Sequence, residues 1–104
     1  MDDAAPLFAA LGDGTRLRLV ARLASRGPAS VTELSREASV SRQAVGKHLD
    51  VLARARLVRD RRVGRERIFE LEPARLESAR LYLERISAEW DEALQSLRRF
   101  VEEG

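Results

Sequence analysis

The stretch SVTELSREASVSRQAVGKHLDVLARARLV, residues 30–58, decides the fold. Ser30 or Thr32 caps a helix, and Glu33 stands three residues after Ser30, as in a capping box. That helix runs to about Ala38, and Ser39 and Val40 make a tight turn. Ser41 then caps a second helix that extends to about Ala55. Val45, Leu49 and Leu52 recur at i, i+4 and i+7 on one face of it; Arg42, Gln43, Gly46, Lys47 and Asp50 lie on the other. Two short helices joined by a tight turn match the helix-turn-helix arrangement, whose second helix enters the major groove of DNA. The side chains at that end suit the task. Arg42 reaches guanine or a phosphate, and Gln43 pairs with adenine. Ser41, Lys47 and the first amides of the helix bind phosphate, and Ala44 admits close approach or a thymine methyl. Taken alone, the same helix also fits an ordinary amphipathic surface helix.

The residues that follow tip the balance. Leu57–Val63 and Glu66–Leu71 alternate like strands and meet around Val63-Gly64-Arg65, a hairpin over about 57–71 with Phe69 and Leu71 on its core side. Its tip, RDRRVGRER (59–67), carries Arg59, Arg61, Arg62, Arg65 and Arg67. So many like charges on a short ribbon repel one another unless a polyanion or counterions offset them. A basic ribbon directly after a helix-turn-helix is the geometry of a wing that grips the DNA backbone or minor groove. Residues 41–67 hold nine basic residues against three acids, whereas residues 68–104 hold five against nine. The net charge of only +2 hides this block.

Toward the N-terminus, Pro6–Leu11 reads as a short apolar helix. Asp13 caps the next helix, along which Leu17, Val20, Ala21 and Ala24 recur at helical spacing; Gly27 and Pro28 end it. Ala29–Val31 is too short for more than an isolated bridge of strand. Toward the C-terminus, Pro73 starts a helix reaching about Glu103. At about 1.5 Å per residue it spans about 45 Å, longer than a small domain is wide, so it must bend, break or find a partner. Leu76, Ala79, Leu83, Ile86, Trp90, Ala93, Leu97 and Phe100 follow a heptad seam, widened by Tyr82, Leu94 and Val101. The seam suits pairing of two subunits, with Trp90 as its expected anchor.

The 104 residues fit one domain. The chain has no cysteine and one histidine, which removes disulfides, thiolate metal sites and multi-histidine sites within one chain. No nucleophile–base pair or phosphate loop is suggested by spacing, so an enzyme is not expected, and no cofactor is. The acidic start lacks the basic region of a signal peptide and no run is apolar enough to cross a bilayer; a cytoplasmic location and no membrane partner are expected.

GDGTRLRLVARL (12–23), residues 30–58 and RRVGRERIFEL (61–71) together resemble the ArsR-type winged-helix repressors of bacteria, from about Phe8 to Glu102. The resemblance implies a mostly α fold with a small β-hairpin: helices 1–4, a two-stranded wing and a long C-terminal dimerisation helix. It places Ser41, Arg42, Gln43, Ala44, Lys47 and His48 on the recognition helix, and Arg62, Gly64 and Arg65, beside Arg61, on the wing. It puts the first and last helices, hence Leu7, Phe8, Leu11, Leu83, Ile86, Trp90, Leu94 and Leu97, at the dimer interface. His48 reads as an edge residue bonding a phosphate or packing beside Leu52, ahead of a metal ligand or pH switch. Three positions depart from the family's pattern: Gly46 for Ser, Arg56 for Gly and Gly14 for Pro. Many relatives sense metals through Cys in the third helix or Asp/His pairs on the last; here the third helix has no Cys and the last no His. The expectation is a dimeric DNA-binding regulator without a metal site, its effector an organic ligand, a protein or none. The competing reading is a winged-helix protein–protein module that never touches DNA.

Overall fold

The computed structural model describes residues 4–103. Eight elements follow in order: α1 (Ala4–Leu11), α2 (Gly14–Arg26), β1 (Ala29–Ser30), α3 (Val31–Ala38), α4 (Arg42–Arg54), β2 (Val58–Val63), β3 (Glu66–Leu71) and α5 (Pro73–Glu103). This is the winged helix-turn-helix order that the sequence predicts. Helix α1 begins two residues before Pro6. Proline is tolerated there because the first amides of a helix have no intrahelical acceptor.

Local chemistry fixes the helix ends. Asp13 accepts from the amides of Thr15 (2.9 Å) and Arg16 (3.1 Å), and α2 ends at Gly27 with φ 85°. Ser30 and Glu33 form a complete capping box on α3: the Ser30 hydroxyl accepts from the Glu33 amide, and the Ser30 amide donates to the Glu33 carboxylate. Ser39, left-handed at φ 55°, closes α3 and turns the chain into Ser41, whose Oγ accepts from the Ala44 amide at 3.1 Å. Helix α4 ends in a Schellman motif, with the Leu57 amide on the Leu52 carbonyl and the Arg56 amide on the Ala53 carbonyl, both 2.9 Å. Arg56 takes the left-handed position at φ 61°, where a side chain is strained.

The core lies where α4 meets everything else. Val45, Leu49 and Leu52 are fully buried, with Leu34 of α3, Leu57, Phe69 of β3, and Leu19 and Leu23 of α2 around them. Two apolar stripes compete on α2. The stripe read from sequence (Leu17, Ala21, Ala24) faces solvent, Leu17 being 53% exposed, and only Val20 of that set is partly buried. The core takes Leu19 and Leu23 instead, because two leucines bury more apolar area than two alanines.

The sheet has three strands in the order β1-β3-β2, all antiparallel. The isolated bridge expected at Ala29–Val31 is a real edge strand: Ala29 pairs with Phe69 and Ser30 with Ile68. It ties the root of the wing to the start of α3.

Helix α5 is one unbroken rod of 31 residues. Only its first half touches the body. Arg75 Nε donates to the Ala55 carbonyl (2.9 Å), Ala79 is buried, and Tyr82 meets Phe8 of α1 with ring centroids 5.5 Å apart. After Ile86 every described residue is exposed. The molecule therefore measures 67 Å by 25 Å by 22 Å, and its radius of gyration of 18.1 Å exceeds the ~13 Å of a compact chain this size.

Candidate nucleic-acid interface

An open cleft of about 500 Å³ separates α4 from the wing. Arg42, Gln43 and Gly46 form one wall, Arg62, Arg65, Glu66 and Arg67 the other, and Ser30, Val31 and Thr32 the floor. Strand register explains the wing's wall. Arg62 stands opposite Arg67, and both share the parity of Phe69, which points into the core further down the same face. Arg61 stands opposite Ile68 and belongs to the other face of the ribbon. Arg67 lies outside the sequence-derived set of contacts, yet its parity with Phe69 was readable; it sits 5.0 Å from the Phe69 ring centroid.

The structure divides the wing's arginines by their partners. Arg59 bonds Glu70 (3.1 Å) and Glu72 (2.9 Å), and Arg67 bonds Asp60 (2.9 Å). Glu70 is the first cause holding the Arg59 guanidinium more firmly protonated than usual. Arg61, Arg62 and Arg65 form no ion pair among the described residues; neither do Arg42 and Lys47. Five cations thus stand exposed and without an ion pair on the N-terminal half of α4 and the wing tip. An unpaired exposed cation can neutralise a phosphate and so displace counterions condensed on a nucleic acid, whereas a cation already paired has its field partly cancelled.

The remaining sequence-derived positions fall around this cleft. Ser41 caps α4 and is exposed, with its hydroxyl proton still available. Lys47 is exposed and Ala44 half-buried, and neither lines the cleft. Gly46 leaves a low spot in the wall: a Cβ there meets nothing within 4 Å. His48 is set apart from all of these, its ring directed toward Asp13 and Arg16 of α2. Of the expected interface residues, Leu7 is only 2% exposed and serves its own subunit's core, and Phe8 and Leu11 pack partly against that core. Leu83, Trp90, Leu94 and Leu97 are open, Trp90 at 64%, and Ile86 is half-covered. Among the described residues no three His, Cys, Asp or Glu side chains gather closely enough to hold a metal, and no helix is long and apolar enough to cross a membrane.

A family model described as a helix-turn-helix domain matches residues 11–61. Over 93 residues, covering 89% of this chain and 83% of the relative, the sequence is 45% identical to the HTH-type transcriptional regulator Rv2034 of Mycobacterium tuberculosis. The fold matches an ArsR-like transcriptional regulator from a Rhodococcus species with a TM-score of 0.80 at 38% identity, covering 95% of this chain and 92% of that one. The chain belongs to the ArsR-type family of winged helix-turn-helix transcriptional regulators. A second solved member, 29% identical, superposes with a TM-score of 0.75 over 86% of this chain and 92% of its own.

Proposed function

We propose that this ArsR-type regulator acts as a cytoplasmic homodimeric repressor that binds a pseudo-palindromic operator. The N-terminal half of α4 enters the major groove, with Arg42 and Gln43 at base edges and Ser41, Ala44 and Lys47 against the adjoining backbone. Arg61, Arg62 and Arg65 of the wing grip the flanking phosphates and minor groove. The observation that carries this reading is the set of uncompensated cations on both walls of one cleft, beside arginines of the same ribbon that are already paired.

The free half of α5 supports the dimer. An isolated 17-residue amphipathic segment is marginal in water, and an exposed row of Trp90, Leu94, Leu97 and Phe100 is the kind of patch that marks an interface. A two-fold pair of such rods sets the two reading helices about 34–36 Å apart. Thiolate sensing is chemically excluded by the lack of cysteine, and the proposed regulation needs no metal.

Selection of bound fragments from random duplex DNA, with sedimentation of the same preparation, tests both halves. The expected result is an inverted repeat with half-sites about one helical turn apart, bound by a dimer that Trp90→Glu converts to monomers. A monomeric wild-type protein, or no enrichment at low salt, refutes the proposal.

A further inference from the structure

Arg16 is bound on three sides. Its amide donates to Asp13, its Nε donates to the Ala10 carbonyl in the last turn of α1 (2.6 Å), and its Nη1 lies 3.4 Å from Nδ1 of His48 on α4. Asp13 Oδ1 stands 3.9 Å from the same Nδ1. A guanidinium only donates, so the Arg16–His48 contact requires Nδ1 to be the acceptor and the imidazole proton to sit on Nε2. At 100° per residue His48 lies on the flank of α4 roughly opposite the centre of Arg42, Gln43 and Gly46. No charged side chain other than Asp13 and Arg16 pairs with it among the described residues.

We propose that His48 is a positioning residue for the reading helix, not a DNA contact: through Arg16 it pins α4 to the corner where α1 turns into α2. The inference rests on α4 being the reading helix. The consequence follows from the connectivity. Helix α1 touches α5 through Phe8 and Tyr82, so the pin links the root of the subunit-pairing rod to the helix that reads DNA.

Asparagine and glutamine separate the two roles. The amide oxygen of Asn is attached where Nδ1 is, so His48→Asn keeps the acceptor for Arg16. The head of Gln extends one bond further, where Nε2 points, and keeps only an outward contact. The probe is a fluorescent duplex recovered by the random-sequence selection, titrated across salt with wild type, H48N and H48Q, and melting curves confirm that each is folded. The pin predicts H48N within about twofold of wild type and H48Q roughly tenfold weaker, about one hydrogen bond's worth, with the salt slope unchanged in both. For DNA affinity, R16Q added to H48Q costs little more, since H48Q has already cut the link from Arg16 to α4, while the loss of the Arg16–Ala10 hydrogen bond shows in the melting curves. Imidazole ¹⁵N shifts of the free protein give a reading independent of DNA, with Nδ1 expected unprotonated. H48Q binding like wild type while H48N fails, a slope shallower by about one per protomer in the His48 variants, or a proton on Nδ1 overturns the pin. Failure of wild type to hold any duplex sinks the reading of α4 instead, and the ¹⁵N result still decides the contact.

Discussion

Replacing Arg61, Arg62 and Arg65 together by glutamine tests the division of the wing's charges. On the N-terminal half of α4 and the wing tip each protomer offers Arg42, Lys47, Arg61, Arg62 and Arg65 as cations without an ion pair, and a two-fold dimer doubles the set. With about 0.9 counterions released per phosphate neutralised, full engagement gives a slope of log K on log salt of about −9. Affinity then falls about 10⁵-fold between 50 and 200 mM salt. The triple variant keeps only Arg42 and Lys47, so its slope drops to about −4 and the same salt interval costs about 10²-fold. The decisive control is R59Q/R67Q. These arginines lie on the same ribbon but already face Glu70, Glu72 and Asp60, so the double variant leaves the slope within about one of wild type. Fluorescence anisotropy on a selected duplex at five salt concentrations reads all three slopes. A loss of slope of about 4 in the control, two-thirds of that in the triple variant, would refute the reasoning, because charge number alone, and not pairing, would then govern binding.

Arg56→Gly removes a side chain from the left-handed cap of α4 at φ 61°. The strain relieved exceeds glycine's extra chain entropy, a net gain of about 0.5–1 kcal/mol that calorimetry reads as a Tm higher by about 3–6 °C. Gly46→Ala adds a methyl that meets nothing within 4 Å, so helix propensity raises stability by about 0.5–1 kcal/mol, while the filled cleft wall weakens DNA binding several-fold; thermal melts and anisotropy separate the two effects. Acid stability follows Glu37, whose carboxyl the Arg22 hydrogen bond holds below the usual 4.5, with Arg22 at 2.5 Å and Arg26 at 3.1 Å. A depressed folded value stabilises the protein above the unfolded one and is lost as pH falls through it. Melting temperatures should therefore fall below about pH 4.5, and E37Q should flatten that fall while lowering Tm at pH 7.

What the sequence carried by itself is what depends on neighbours within a few residues. Asp13, Ser30 with Glu33, and Ser41 announce three helix starts because each satisfies amides two or three positions ahead. Val45, Leu49 and Leu52 name the buried face of α4 by their spacing. Gly64 marks the hairpin tip, and the charge block on 41–67 marks the half proposed to face DNA. The tertiary structure decided what depends on distant partners. The choice of Leu19 and Leu23 over the exposed stripe on α2 awaited the packing of α3, α4 and β3 against that helix. The recruitment of Ala29 and Ser30 into the sheet needed β3 to arrive 40 residues later. Which wing arginines are spent on carboxylates, and that His48 turns toward Arg16, were settled by cross-strand register and by the α2–α4 crossing. Local hydrogen bonds and periodicity are written in consecutive residues, whereas packing and pairing are set by where the folded chain places residues far apart in sequence.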